Sequence, residues 1–453
     1  MTDKNASMMK NNAPCVLNHP LKDMVLQYKR GIKQGITSVC SSNPFVVEAA
    51  MENAMAQNAF VLLEATANQV DQFGGYSGMT PKDFAGYARR TACRLGFDQD
   101  RLILGGDHLG PLTWSKEHGH AAMDNAKELV RQYVLAGFTK IHLDTSMKLV
   151  GDSKDERLSD EVIARRGAAL CAAAEDAYKE LLKTDPCAIA PVYVVGSEVP
   201  IPGGVGEDEG LRVTKQEDFE SAVATYEAEF DRQGLSEAWV RVIAVVVQPG
   251  VEFGDTFIHE YDRNAASNLS KALEKYPNLV FEGHSTDYQT PNKLREMVED
   301  GIMILKVGPG LTYAFREALF MLEHVEKELF SKTGIHLSNF ANVLDNEMLK
   351  NPDKWKAYYH GSENELSLKR RFSLSDRCRY YLTNSEVEKS IGRLMDNLNS
   401  ADIPATILSQ YMPAQYNKMR EGMLKGDPVS LVKDRIKQCL NGYAYGCCPS
   451  RNN

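Results

Sequence analysis

Residues 102–111 read LILGGDHLGP, an apolar run that stops at an acidic residue and a histidine side by side. A run of this length and composition predicts a strand buried on both faces, as in a parallel sheet. What decides the fold is recurrence. GITSVCSS from Gly35, FVLLEAT from Phe60, KIHLDTS from Lys140, VYVVGSE from Val192, VRVIAVVVQPG from Val240, LVFEGHSTD from Leu279 and MILKVGPG from Met303 repeat the pattern. Between them lie stretches such as DNAKELVRQYVLAGF and LSDEVIARRGAALCAAAEDAYKELL, whose apolar residues fall on one helical face. Strands alternating with helices eight times over predict an α/β fold, a (β/α)8 TIM barrel. A doubly wound sheet is the alternative, but no GxGxxG turn follows the first strand.

The alternation stops near residue 330. The expected division is a polar N-terminal tail (1–23), the barrel (24–330) and a helical C-terminal extension packed on it (331–453), marked by SLSDRCRYYL and LSQYMPAQY. The extension is placed to cover the barrel mouth or to form an interface, and Arg377 or Arg379 is placed to reach over the mouth toward a phosphate.

Hydrophobic residues make up 43% and charged residues 25% of the 453, near the averages for soluble globular proteins, which argues against disorder and fibrous folds. The formal charge of -9 argues against broad binding to nucleic acid or anionic membranes, so an anionic substrate needs a local positive site. No apolar run is long enough to span a bilayer, and no secretory signal is read at the N-terminus. Nine scattered cysteines suit reduced thiols in a cytoplasm; the adjacent Cys447 and Cys448 have no CxxC or HxxxH partner for a metal site.

Polar residues gather where the apolar runs end: Glu64, Asp107, His108, Asp144, Glu198, Gln248, Glu282, His284 and Lys306. Barrel enzymes place their chemistry at that end. Glu282 and His284 are two apart, so on a strand they share a face, the interior one if Phe281 packs outward. With His108 they offer donors for Zn²⁺, Mn²⁺ or a similar divalent ion; the bland alternative is that they hydrogen-bond one another. Asp107 and His108, being adjacent, should diverge, which suggests His108 on the metal and Asp107 as general acid/base, or Asp107 as a helix cap. His142 and Asp144 repeat the two-residue spacing: Asp144 is a catalytic candidate and His142 reads better as structural. Glu198, before a Pro/Gly loop, is a ligand or acid/base candidate. For a phosphate, the loops after strands seven and eight offer Ser285, Thr286, Lys306, Gly308 and Gly310. QVDQFGGYSGM, from Gln69, is a further loop able to fold over a ligand. A Schiff base on Lys140 or Lys306 is a minor alternative, and no GxSxG, P-loop or kinase signature is present.

Ten stretches resemble one family in order over roughly residues 24 to 425. They are SVCSSNPFVVEAA, EATANQVDQFGGYSGM, LILGGDHLGP, AGFTKIHLDTSM, GSEVPIPGG, RVIAVVVQPGVEF, EGHSTDYQT, ILKVGPGLTYAFREALF, SDRCRYYL and SQYMP. The family is GatZ/KbaZ, the Z subunit of class II tagatose-1,6-bisphosphate aldolase. The resemblance implies a relative of the class II aldolase barrel, with acid/base and metal ligand at Asp107 and His108, and a further ligand at Glu282 or His284. The strand-six ligand of those aldolases has no histidine here; Gln248 stands near its place and is a substrate-binding candidate.

Two functions follow from the resemblance. One is a metal-dependent enzyme using Zn, Mn or Ni to interconvert D-tagatose 6-phosphate and D-fructose 6-phosphate at C4 by retro-aldol cleavage, itself a homo-oligomer. The other is a noncatalytic, chaperone-like companion of a catalytic class II aldolase subunit. Bisphosphate aldolase activity by the chain itself is a third. So many ionisable groups at a barrel mouth favour catalysis, because leaving them unpaired is costly.

Overall fold

The computed structural model describes residues 18–153, 156–196 and 211–448. Its parallel strands β1 (Ile36–Cys40), β2 (Val61–Thr66), β3 (Leu102–Leu109), β4 (Lys140–Leu143), β5 (Val192–Val195), β6 (Val242–Val247), β7 (Val280–Gly283) and β8 (Ile302–Val307) close into a barrel. Each strand pairs with its neighbours in sequence, and β8 returns to β1 through the register Ile36 to Ile304 and Ser38 to Lys306. Helices surround it, so the fold is the (β/α)8 TIM barrel, and every apolar run read from the sequence is one of its strands.

The physical reason is burial on both faces. β6 is VIAVVV with all six residues buried, one face toward the barrel axis and the other toward the helices. Helix starts are fixed by caps: the Asn43 side chain accepts from the amides of Phe45 and Val46, and Thr80 with Asp83 forms a capping box, each just before a proline at the first helical turn. On β7, Phe281 packs outward against Phe219 with ring centroids 5.1 Å apart, which turns Glu282 and His284 inward.

The N-terminal helix Pro20–Lys29 crosses the boundary expected at residue 24 and buries Leu21, Val25 and Tyr28; the Tyr28 hydroxyl donates to the carbonyl of Val298 at 2.6 Å. After the helix Pro309–Phe330, further helices include Phe340–Lys350, Glu363–Phe372 and Ser385–Asn399, and the chain ends in the helix Pro428–Cys447. That last helix packs on Pro44–Gln57, Pro291–Glu299 and Pro309–Phe330, and one cluster of buried apolar side chains runs from the barrel into the extension. Among the described residues no helix is long and apolar enough to cross a membrane, and no disulfide forms. Cys447 is buried beside Thr37 and belongs to no group of metal-ligating side chains among the described residues.

Candidate active site

Charge fills the barrel interior toward the C-terminal ends of the strands. Lys140 Nζ lies 2.7 Å from Glu64 Oε1 and 2.7 Å from Glu282 Oε2. Lys306 Nζ contacts Asp107 and lies 3.1 Å from Glu64 and 3.5 Å from Glu282. Glu64 on β2 reaches Lys140 on β4 only by crossing β3, and the residue in register between them is Gly105. A Cβ there would stand 2.7 Å from Glu64 Cγ, so the missing side chain makes the gap. Burial alone would strip charge from both lysines; Glu282 and Glu64 around Lys140, and Asp107, Cys40 and Glu64 around Lys306, hold both ammonium groups above their ordinary range. Ammonium groups so held are not nucleophiles, which removes the support for a Schiff base.

Above this layer His108, His142 and His284 meet edge to face, with ring centroids 4.8 to 5.1 Å apart. Asp107 and His108 do not diverge as expected. His108 takes a left-handed conformation (φ 48°), and the β3–β4 register shifts between Gly106 and Leu109, so both side chains enter the same cleft. A non-glycine residue at positive φ is uncommon and marks a site where the backbone serves the side chain.

Asp144 stands behind His108 rather than in the cleft. Its Oδ2 is 2.8 Å from His108 Nδ1, and its Oδ1 accepts from the amide and hydroxyl of Ser146. That fixes the ring and turns Nε2 forward. Burial would raise the Asp107 carboxyl, but His108, Lys306 and the His142 hydrogen bond hold it well below the usual range. Burial and the nearby Lys306 push His284 down to about 3, and burial lowers His142, so both rings are neutral near pH 7.

The donor group that the structure brings together differs by one histidine from the ligand set expected from the sequence. Donor atoms of Asp107, His142, Glu282 and His284 all lie within 4.8 Å of one another, whereas His108 is outside that group. Among the described residues His142 Nε2 is buried without a hydrogen-bond partner. Its Nδ1 is 3.0 Å from Asp107 Oδ1 and 3.1 Å from the His108 amide. One nitrogen cannot serve both: with the proton on Nδ1, given to Asp107, Nε2 presents a lone pair. The donors suit a divalent ion. Charge agrees. Among the described residues Glu64, Asp107 and Glu282 share Lys140 and Lys306, while Asp144 pairs with His108, so at least one negative charge is left over whichever form His108 takes.

A cleft connected to solvent opens over these groups. Asp107, His108, His284, Ser285 and Lys306 line it, with Tyr76 from the loop after β2 and Arg379 and Tyr380 from the extension. Other expected contacts are spent elsewhere. Gln248 Oε1 accepts from the amides of Gly250 and Val251, closing its own turn. Thr286 is fully buried, donating to the Lys306 carbonyl and meeting Tyr443 of the last helix. The amides of Gly308 and Gly310 both donate to Asp287 Oδ1, at 3.0 and 2.7 Å. Arg377 turns to the Lys354 carbonyl. Glu198 lies outside the described residues.

Sequence reasoning gave no role to Glu64 or Asp287 and favoured a structural His142. The available signal for His142 was its spacing of two from both Lys140 and Asp144, three positions on one strand face. Nothing local announced Asp287.

A solved structure described as a probable tagatose 6 phosphate kinase from Sinorhizobium meliloti 1021 is 41% identical and superimposes with a TM-score of 0.83, covering 91% of this chain and all of that one. The YdjI aldolase from Escherichia coli K12 is 10% identical at a TM-score of 0.41, covering 83% of this chain and all of that one. Fructose-bisphosphate aldolase from Campylobacter jejuni is 15% identical at 0.41, covering 85% and 95%. The family model of the D-tagatose-1,6-bisphosphate aldolase subunit GatZ/KbaZ-like proteins matches residues 21–448, and the chain belongs to that family.

Proposed function

We propose that this chain is a metal-dependent enzyme that inverts C4 of a phosphorylated ketohexose, interconverting fructose 6-phosphate and tagatose 6-phosphate by retro-aldol cleavage and re-addition. The observation that carries the reading is the bare, buried His142 Nε2 set among Asp107, Glu282 and His284, in a pocket with surplus negative charge. His142, Glu282 and His284 are the residues to hold a divalent ion, which when bound supplies Lewis-acid stabilisation of charge developing on the ketone end of the sugar. Lys306, which lies on the same Glu282 and Asp107 oxygens, has to lean toward Glu64 to make room.

Asp107 is ionised and therefore ready to accept a proton. It takes the proton of the C4 hydroxyl; C3–C4 breaks, and the electron pair stays with the three-carbon ketone fragment. The aldehyde fragment turns its other face, C3–C4 re-forms and the proton returns to the C4 oxygen. Removing a proton from C3 would not invert C4, so bond cleavage is the economical route. His108, oriented by Asp144, and Ser285 line the cleft where the hydroxyls must be held. The kinase description of the solved relative has no support in this sequence, which lacks P-loop and kinase signatures.

The family description favours a second reading, since it names an aldolase subunit. One experiment separates the two. The purified chain is stripped of metal, supplied with Mn²⁺, Zn²⁺ or Ni²⁺ and fructose 6-phosphate, and tagatose 6-phosphate is followed by chromatography after dephosphorylation. Metal-dependent product is expected. No product with any metal, together with stabilisation of an added catalytic aldolase chain, would make this a companion subunit.

A further inference from the structure

The positive charge of the cleft does not sit where barrels of this kind usually bind phosphate. The head of the helix Pro309–Phe330 is already occupied by an internal anion, the Asp287 carboxylate on the amides of Gly308 and Gly310. Lys306 is enclosed by Asp107, Glu64 and Glu282. Among the described residues the remaining lysine or arginine on the cleft wall is Arg379, from the 3-10 turn Arg377–Tyr381 of the extension. Its Nη1 donates to the carbonyls of Ser375 (2.6 Å) and Asp376 (3.0 Å), and its Nη2 to the Tyr380 hydroxyl (2.8 Å).

These partners are neutral oxygens, so the guanidinium makes no direct ion pair among the described residues, although the charges of Asp376 and Asp287 act on it from a distance. The nearby carboxylates are committed: Asp376 to Arg316 and Thr312, Asp287 to the two amides. Tyr76 and Tyr380, packed edge to face at 4.9 Å, wall the same corner. A guanidinium held rigid by neutral oxygens, on the cleft wall beside the phenolic hydroxyls of Tyr76 and Tyr380, matches the oxygens of a phosphate monoester.

We propose that Arg379 anchors the phosphate of a ketohexose monophosphate and that the cleft selects one phosphate over two. This rests on the sugar-phosphate reading above. A second phosphate, at the far end of the sugar, finds no further guanidinium among the described residues of the cleft, and both ammonium groups there are already paired with carboxylates.

Calorimetric titration of the metal-loaded full chain and of Arg379→Gln and Arg379→Lys tests this, with fructose 6-phosphate, inorganic phosphate and fructose 1,6-bisphosphate as probes and melting curves as the folding control. Arg379→Gln is expected to weaken fructose 6-phosphate and inorganic phosphate at least about tenfold with the melting temperature kept, and Arg379→Lys to recover part of the loss. In the unaltered chain the bisphosphate is expected to bind no more than about threefold more tightly than the monophosphate. Arg379→Gln binding fructose 6-phosphate within about twofold of the unaltered chain, or a bisphosphate preference of about tenfold or more, overturns the proposal. If Arg379→Gln unfolds, Arg379→Lys and the ratio on the unaltered chain decide. Phosphate affinity that depends on Arg379 without any turnover would sink the epimerase reading alone; turnover with affinity indifferent to Arg379 would sink this one alone.

Discussion

Two buried charge clusters in this protein obey opposite arithmetic. Where the extension meets the helix after β8, Arg316 is 1% exposed and its Nε lies 2.9 Å from Asp376 Oδ1; Thr312 takes the other carboxylate oxygen at 2.7 Å, and the guanidinium sits 4.3 Å over the Tyr313 ring. One charge meets one opposite charge. In the barrel, the three carboxylates Glu64, Asp107 and Glu282 share two ammonium groups, and among the described residues His142 Nε2 stands bare beside them. The balanced pair pins the turn that carries Arg379 to the helix after β8. The unbalanced cluster leaves a deficit of positive charge beside a cleft, which a purely structural network would have no reason to maintain.

The largest effects should follow from removing groups in the unbalanced cluster. Asp107→Asn is expected to lower turnover by about 10²–10⁴-fold while metal content, measured by emission spectrometry, stays intact. His142→Ala is expected to lose bound metal. If instead the His108 variant loses metal and the His142 variant keeps it, the ligand set expected from the sequence is the correct one and the excess charge needs another explanation. An active Asp107→Asn protein would end its assignment as the acid/base.

That contrast also shows what the sequence could and could not disclose. The barrel was legible because burial on both faces leaves long branched apolar runs, and β6 is the plainest case. Glu282 and His284 were legible because a strand alternates with period two and Phe281 marks the outer face. His142 follows the same alternation with Lys140 and Asp144, but the value of its bare Nε2 depends on neighbours from three other strands. The Asp107–His108 step was misread because a left-handed residue cancels alternation, and nothing in the letters DH encodes φ. The Gly308 and Gly310 amides looked free because their occupant, Asp287, arrives from a different loop. Gly105 showed only as a small residue, although its absent Cβ is what lets Glu64 meet Lys140.

The balanced pair makes the next largest prediction, on stability rather than chemistry. Asp376→Asn leaves Arg316 buried without its counter-charge and is expected to cost about 3–5 kcal/mol, read as a drop in urea midpoint. Replacing both partners together, Arg316→Met with Asp376→Leu, is expected to restore most of that loss, because a matched apolar pair of similar volume removes both desolvation costs. A double variant as unstable as the single would mean that the turn depends on the Thr312 and Cys378 contacts of Asp376 and not on charge balance.

A further buried carboxylate tests the rule at its limit. Glu252, 3% exposed, has no cationic partner among the described residues; its Oε1 accepts from the Phe253 amide, and burial pushes its carboxyl up to about 7. An acid whose folded pKa lies above its unfolded value of 4.5 holds its proton longer in the native state. Between those two values the native chain therefore binds more protons than the unfolded chain, and stability falls as pH rises through that window. Glu252→Gln keeps the shape and removes the ionisation, so the melting temperature of the unaltered chain should fall relative to the variant between about pH 4.5 and 7, by a few degrees, and run parallel to it outside that range. A gap that stays constant across the window would show that Glu252 remains charged when folded. It would then be a second unbalanced negative charge beside Ser285, and the deficit in the cleft would be larger than the barrel cluster alone implies.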